Sequence, residues 1–147
     1  MTGVSRALKK DHNPKCIVVG IDPVSDYACE RTTCFHTQLS MQKGSVLAFP
    51  DSLNNPDDGA AYIVEGIGYD FIPDVLSRDP VDVNIWVKTD DEEAWVAVRS
   101  LMRTEGLLVG GSSGSAFSGA LRWLKSKEGR VVAESEGMNV VVLLPDG

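Results

Sequence analysis

Hydrophobic and polar positions along the chain fall into blocks that predict short strands separated by helices. Apolar residues spaced by three and four predict an opening helix over 2–11, which ends before Pro14 because the residue preceding a proline avoids the helical conformation. The wholly apolar, β-branched run at 16–21 is typical of a strand buried on both faces, and Asp22 and Pro23 close it. The apolar face of the opening helix consists of Val4, Ala7 and Leu8.

Two further helices are predicted in the second half of the chain. Thr89, followed three residues later by Glu92, forms a capping box, and Gly106 ends the helix that begins there. The next helix follows the glycine- and serine-rich segment 110–115. The apolar stripe of the first of these helices comprises Ala94, Trp95, Val98, Leu101 and Met102. The inner face of the second comprises Ala116, Phe117, Ala120, Leu121 and Leu124.

Short β-like runs precede, separate and follow these helices. The predicted strands cover 61–64, 81–86, 107–109 and 139–144, and a short helix covers 73–76. The alternation of strands and helices indicates an α/β fold with an open, mostly parallel sheet and helices on both faces. Ligands of such sheets bind at the carboxyl ends of strands near helix N-termini. Residues 25–44 follow neither period and are interpreted as a loop or an insertion.

The composition is that of one globular domain of 147 residues with a formal net charge of −7. This acidic balance argues against a nucleic acid or an anionic membrane as the main partner, since both require clustered lysine and arginine. Three cysteines are too few for a disulfide framework, so we expect a reducing compartment, the cytoplasm. No apolar run reaches the ~20 residues of a membrane span, and the N-terminus lacks the apolar core of a secretory signal.

Two glycine-containing segments are candidates for a ligand site. Segment 110–115, Gly-Gly-Ser-Ser-Gly-Ser, joins a predicted strand to a helix, where glycines allow close backbone approach and a helix N-terminus favours electron-rich groups. Segment 65–69, Glu-Gly-Ile-Gly-Tyr, offers backbone groups beside a tyrosine hydroxyl. The structural alternatives are a turn whose serines cap the next helix and a turn beside a core tyrosine. Neither segment has the spacing of a phosphate loop or a dinucleotide fingerprint, which disfavours a nucleotide-binding protein.

No metal site is expected. Cys29, Cys34 and His36 supply three ligand types without the fourth that a structural zinc site needs. The acidic run at 90–93 lies at the start of a predicted helix, where negative charge complements the helix dipole. We interpret that run as a helix feature and not as a cation site.

Considered together, the two glycine segments resemble the cysteine synthase/cystathionine β-synthase family, which belongs to the tryptophan-synthase-β-like, fold-type II enzymes that use pyridoxal 5′-phosphate (PLP). The aromatic Tyr69 favours the cystathionine β-synthase branch. The likeness covers 2–24 and 45–147, and 25–44 interrupts it as an atypical insertion. The matching segments, in order, are 19–23, 44–48, 65–73, 91–94, 105–115 and 143–146.

The resemblance implies a partial PLP-dependent catalytic domain over 1–147 and a reaction in which serine and homocysteine give cystathionine, a step of transsulfuration and cysteine biosynthesis. In such a domain Ser112 hydrogen-bonds the pyridine nitrogen of the cofactor, and Ser112 and Gly66 are the cofactor-binding residues. Gly66 and Tyr69 match the loop that closes on the substrate side. The parent enzyme is expected to be a homo-oligomer.

Several parts of the family pattern are not found in this sequence. They include the lysine that forms the Schiff base with PLP, the phosphate-binding loop and the heme segment of the animal enzymes. We therefore assign no catalytic residue, and we expect the isolated chain to be inactive and its binding of PLP to be doubtful. Two alternatives remain open: a cysteine synthase-like chain that uses O-acetylserine, and a non-catalytic partner of a full-length relative.

Overall fold

The computed structural model describes residues 1–24, 45–54 and 62–145. Within these ranges, four α-helices and two strands form the frame, and a π-helical segment, Leu8–His12, extends the first helix. A short 3-10 turn lies at Asp51–Leu53. In chain order the elements are α1 (Thr2–Ala7), β1 (Val19–Pro23), β2 (Ile85–Thr89), α2 (Asp91–Thr104), α3 (Gly111–Leu124) and α4 (Lys127–Ala133).

The two strands pair in parallel and define the α/β character of the fold, as predicted. Val19 lies opposite Ile85, and Asp22 lies opposite Lys88. Helix α3 packs on both strands and along α2. A small apolar cluster lies beside the sheet and consists of Ala48, Val83 and Trp86, with Leu47 and Leu76 packed against it.

Both strands lie further along the chain than predicted. The first was expected over 16–21 with Asp22 and Pro23 closing it, but β1 includes both of these residues. The second was expected over 81–86, but the Asp79 carbonyl accepts the N–H groups of Asp82 and Val83, which makes that region a turn. The alternating pattern at 81–86 therefore covers a turn that leads into β2 and the first two residues of β2, Ile85 and Trp86.

Helix α2 begins one residue later than predicted. Its N-cap is Asp90, whose carboxylate accepts the Glu93 N–H at 2.7 Å, whereas Thr89 is the buried last residue of β2. The capping box of Thr89 and Glu92 is therefore wrong by one position. Of the predicted stripe, Ala94, Val98 and Leu101 are buried, together with Ala97, whereas Trp95 and Met102 are exposed.

Helix α3 begins at Gly111, so the serines of segment 110–115 lie inside the helix. Its buried residues are small ones near its start, together with Gly119 and Trp123, instead of the predicted apolar side chains. The close contact with α2 explains the difference, because a Cβ at Gly114 would collide with the backbone of Ala94. Leu121, predicted to face inward, is exposed.

Three predicted strands and one predicted helix do not form in the described part of the chain. Residues 107–109 and 139–144 form no strand there, residues 62–64 contain only an isolated β-bridge residue, Tyr62, and Val141 is 90% exposed. Residues 73–76 make a single turn, closed by the Leu76 N–H on the Pro73 carbonyl. Helix α4, which was not predicted, begins after Ser126, whose hydroxyl accepts the Gly129 N–H.

The opening helix docks through its polar residues instead of its apolar ones. Thr2 and Ser5 are buried, whereas Val4 and Leu8 are exposed. The Thr2 hydroxyl accepts the Ser77 N–H, and the Ser5 hydroxyl donates to the Asp82 carbonyl.

No helix within the described ranges is long and apolar enough to cross a membrane. The interpretation of 25–44 as an insertion lies outside the described residues.

Candidate functional site

Ser112 lies in the first turn of α3 and is 7% exposed. The first N–H groups of a helix have no partner within the helix and attract electron-rich groups. None of the residues in the described ranges hydrogen-bonds the Ser112 hydroxyl. An added Cβ at the preceding Gly111 would lie 3.2 Å from both methyl groups of Val64. The absence of a side chain at Gly111 thus lets the segment before the 66–69 turn lie directly against the start of α3.

Asp91 also fixes this segment, through hydrogen bonds to its backbone. The Asp91 carboxylate accepts the N–H of Ile63 at 2.7 Å and that of Val64 at 3.2 Å. Because Asp91 is the first residue of α2, its negative charge also lies at the positive end of the helix dipole. The acidic run at 90–93 indicates only this second effect. The contact with 63–64 depends on tertiary placement, and no local signal indicates it.

The 66–69 turn contains two glycines with left-handed backbone angles. Gly66 has φ of +79°, and nothing lies within 4 Å of the position where its Cβ would be. Gly68 has φ of +74°, and its Cβ would lie 2.5 Å from the hydroxyl oxygen of Tyr62 and 2.6 Å from Cγ of Pro23. The backbone at Gly66 is therefore open to a ligand, whereas Gly68 is packed against the body of the fold.

Tyr69 combines a fixed backbone with an accessible ring. Its N–H donates to the Ser45 hydroxyl at 3.1 Å, and its carbonyl accepts the Val46 N–H at 2.9 Å. The side chain is 50% exposed, and its ring centroid lies 5.3 Å from that of Phe71. The turn thus presents an aromatic hydroxyl group at the surface next to the open backbone of Gly66.

A buried ionic cluster lies beneath the turn and comprises Asp22, Ser45 and Lys88. The Ser45 hydroxyl donates to Asp22 Oδ1 at 2.6 Å, and Lys88 Nζ donates to Asp22 Oδ2 at 2.6 Å. Lys88 also donates to the carbonyls of Pro23 and Ser45, so all three protons of its ammonium group have acceptors. No sequence pattern predicted this cluster, and its one local signal is an aspartate, Asp22, after an apolar run.

Tyr62 carries a buried hydroxyl group that has no hydrogen-bond partner among the described residues. Burial, together with the negative charges of Asp22, Asp70 and Asp91, raises the pKa of Tyr62 to about 12. The phenol is therefore neutral near pH 7.

The structure thus places the sequence-predicted site residues on two adjacent segments. Val64, two residues before Gly66, contacts Gly111, the residue before Ser112.

Within the described ranges, no three histidine, cysteine, aspartate or glutamate side chains group as metal ligands; Cys29, Cys34 and His36 lie outside those ranges. A groove between α2 and α3 is lined by residues such as Val96 and Phe117, and none of the predicted site residues lines it.

Comparison with known proteins identifies one enzyme family. Residues 1–146 match the family described as pyridoxal-phosphate dependent enzyme. A cystathionine β-synthase of Dictyostelium discoideum is 45% identical over 146 residues, which is 99% of this chain and 23% of that enzyme. The chain therefore spans about a quarter of the length of this relative.

Solved structures show the same likeness. The O-acetylserine-dependent cystathionine β-synthase of Helicobacter pylori superposes with a TM-score of 0.64 at 29% identity, covering 99% of this chain and 36% of the other. Cysteine synthase of Entamoeba histolytica also gives a TM-score of 0.64, covering 98% of this chain and 32% of the other, and its 21% identity supports the fold alone.

Proposed function

Because the chain belongs to the family of pyridoxal-phosphate-dependent enzymes, we propose that it forms part of a catalytic unit that replaces the β-substituent of an amino acid. The proposed reaction joins serine and homocysteine to give cystathionine, a step toward cysteine. One observation carries the proposal: the Ser112 hydroxyl, free of protein partners among the described residues, lies at the start of a helix whose first residue, Gly111, contacts Val64, two residues before the 66–69 turn. The similarity to cystathionine β-synthases supports this choice of reaction.

The residues around Ser112 fit the pyridine edge of PLP. A hydroxyl group can hydrogen-bond a ring nitrogen, and Ser112, which carries this hydroxyl, is a largely buried residue in the first turn of α3. When bound, PLP supplies an electron sink for charge that develops at the substrate α-carbon. A neutral serine does not force the ring nitrogen to carry a proton as a carboxylate would, which suits elimination and replacement at the β-carbon.

The 66–69 turn acts on the substrate side in this proposal. Gly66 has no side chain and open space beside it, so its backbone groups can approach the amino acid closely. Tyr69 offers its hydroxyl and ring to orient the substrate and to exclude water from it. The phenol and the backbone groups bind and position, and we assign neither of them a proton transfer.

We propose that the chain by itself has no catalytic activity. Lys88 is the lysine that lies beneath the turn, and all three of its ammonium protons already have acceptors. A lysine must be a free amine to attack a carbonyl group, so Lys88 does not meet that requirement. Catalysis then requires a lysine and a phosphate-binding loop supplied from elsewhere.

A chimeric enzyme tests the proposal. The 146 matched residues of the Dictyostelium cystathionine β-synthase are replaced by this chain, and cystathionine formation is measured with serine and with O-acetylserine. We expect activity with serine, and we expect Ser112→Ala to lower kcat/KM by about three- to tenfold because one neutral hydrogen bond is lost. Ser118→Ala, on the same helix, is the matched control. A folded, PLP-loaded chimera without activity contradicts the proposal, whereas activity with O-acetylserine alone favours the cysteine synthase-like alternative.

A second candidate function is that of a non-catalytic partner of a full-length relative. The exposed apolar residues of 139–144 favour it, since Val141 and Leu143 have no cover in the described part of the chain. Stable, stoichiometric co-purification with the Dictyostelium enzyme supports this function. Recovery of the two proteins as separate species contradicts it.

In either function we place the protein in a reducing compartment, the cytoplasm, and expect the complete enzyme to be a homo-oligomer.

A further inference from the structure

We propose that Asp22, Ser45 and Lys88 are positioning residues that hold the 66–69 turn in the geometry it needs for substrate. This inference rests on the proposed function of the turn, because it gives the cluster a purpose in that site. None of the three side chains is assigned a contact with substrate or cofactor. They act through Tyr69.

The Ser45 hydroxyl is the link between the cluster and the turn. A hydroxyl group has one proton to donate and two lone pairs that accept. Ser45 donates its proton to Asp22 Oδ1 at 2.6 Å, and this turns its lone pairs toward the Tyr69 N–H, which lies 3.1 Å away. Asp22 thereby orients the acceptor that the turn uses.

Lys88 and the surrounding backbone hold Asp22 in place. Asp22 is fully buried and lies opposite Lys88 in the register of the two strands. The second carboxylate oxygen accepts from Lys88 Nζ at 2.6 Å and from the Ala48 N–H at 3.2 Å. Because all three ammonium protons of Lys88 have acceptors and both carboxylate oxygens of Asp22 accept hydrogen bonds, the cluster has one preferred arrangement, as well-satisfied buried polar networks do.

The cluster fixes the backbone of the turn and leaves its functional groups free. Tyr69 is held at both backbone groups, through its N–H to Ser45 and through its carbonyl to the Val46 N–H. Gly68 packs against the Ser45 side chain, whose Cβ lies 3.0 Å from the position of an added Cβ. The Tyr69 ring and the Gly66 backbone remain exposed. Such an arrangement suits a loop that must meet a ligand without adjusting its own backbone.

Hydrogen exchange in the full chain tests the positioning directly and does not depend on PLP. Ser45→Ala removes the acceptor of the Tyr69 N–H and keeps the Asp22–Lys88 pair, so we expect faster exchange over 66–72 with unchanged exchange over 93–104 and 115–124. Ser118→Ala is the matched control, since it removes a hydroxyl that bonds only within α3. Unchanged exchange over 66–72, or an equal increase in α2 and α3, overturns the inference. Ser45→Thr retains the hydroxyl group and is expected to restore slow exchange over 66–72.

Kinetics of the chimeric enzyme distinguish a positioning role from a merely structural one, because only a positioning role changes KM for serine. We expect Ser45→Ala to raise KM for serine about five- to tenfold with a smaller change in kcat, which is the effect of about one lost hydrogen bond on substrate positioning. A lower kcat with unchanged KM indicates only a smaller folded fraction and overturns the inference. If the unmodified chimera is inactive, the proposed function fails, and the exchange measurement still decides whether the cluster positions the turn.

Discussion

Alanine at Gly68, compared with alanine at Gly66, measures how tightly the 66–69 turn is packed. The two glycines have nearly the same backbone angle, φ of +74° and +79°. They differ in their surroundings: a Cβ at Gly68 would lie 2.5 Å from the Tyr62 hydroxyl oxygen and 2.6 Å from Cγ of Pro23, whereas nothing lies within 4 Å at Gly66. The pair therefore separates the cost of the backbone conformation from the cost of crowding.

The magnitudes follow from these two contributions. A residue with a side chain loses about 1–2 kcal/mol in the left-handed conformation, and this is the full loss expected for Gly66→Ala. Gly68→Ala adds overpacking in a filled space, about 1–3 kcal/mol. The free energy of unfolding is thus expected to fall by about 2–5 kcal/mol for Gly68→Ala, against about 1–2 kcal/mol for Gly66→Ala.

Urea unfolding followed by tryptophan fluorescence measures both variants against the unmodified chain. The slope of free energy against urea concentration should stay the same, because both substitutions leave the area exposed on unfolding nearly unchanged. Equal losses for the two variants would refute the packing of Gly68 against Tyr62 and Pro23. A larger loss for Gly66→Ala would refute the open surroundings of Gly66.

Three further predictions concern charge and burial. Hydrogen bonds from Arg6, with a further contribution from Ser77, lower the pKa of Asp82 to about 2, so the stability from these contacts is complete above pH about 4 and is lost as the pH falls toward 2; acid titration of Arg6→Gln should show a smaller loss than the unmodified chain. Folding raises the pKa of Tyr62 from 10.0 to about 12, so the free energy of unfolding should fall as the pH rises from 10 to 12. Tyr62→Phe removes this buried hydroxyl, which has no partner among the described residues, and should abolish that fall in unfolding measured over an alkaline pH series. Asp91→Ala should lower the free energy of unfolding in urea by about 1–3 kcal/mol, because two backbone N–H groups lose their acceptor. Glu92→Gln, at an exposed position, should change this free energy little. Equal effects of the two variants would contradict the contact between Asp91 and residues 63–64.

Local patterns predicted the kinds of element in this fold better than their ends. The capping signal lay one residue from the true cap because Thr89 is required by β2, and a sequence pattern does not show that competition. The alternating residues just before β2 belong to a turn because the Asp79 carbonyl accepts N–H groups that the pattern assigned to a strand. Segment 139–144 has the composition of a buried strand, but a strand forms only where a neighbouring edge is present.

The two segments of the candidate site could be predicted from short motifs, since Ser112 and the 66–69 turn each lie within one continuous run of residues. The cluster of Asp22, Ser45 and Lys88 that supports the turn could not be predicted in this way. Asp22 and Lys88 meet because β1 and β2 pair in one particular register, and their separation along the chain carries no sign of it. Asp91 likewise contacts residues 27 and 28 positions earlier. Local chemistry is readable in sequence, whereas buried polar pairing depends on the tertiary arrangement.

The position of PLP in a crystal structure of the chimeric enzyme tests the central claim most directly. The account predicts that the pyridine nitrogen lies about 3 Å from Ser112 Oγ, at hydrogen-bond distance, with the backbone of Gly66 and the ring of Tyr69 on the substrate side. A cofactor bound elsewhere, for example in the groove between α2 and α3, or a pyridine ring whose nitrogen faces away from Ser112, would contradict it.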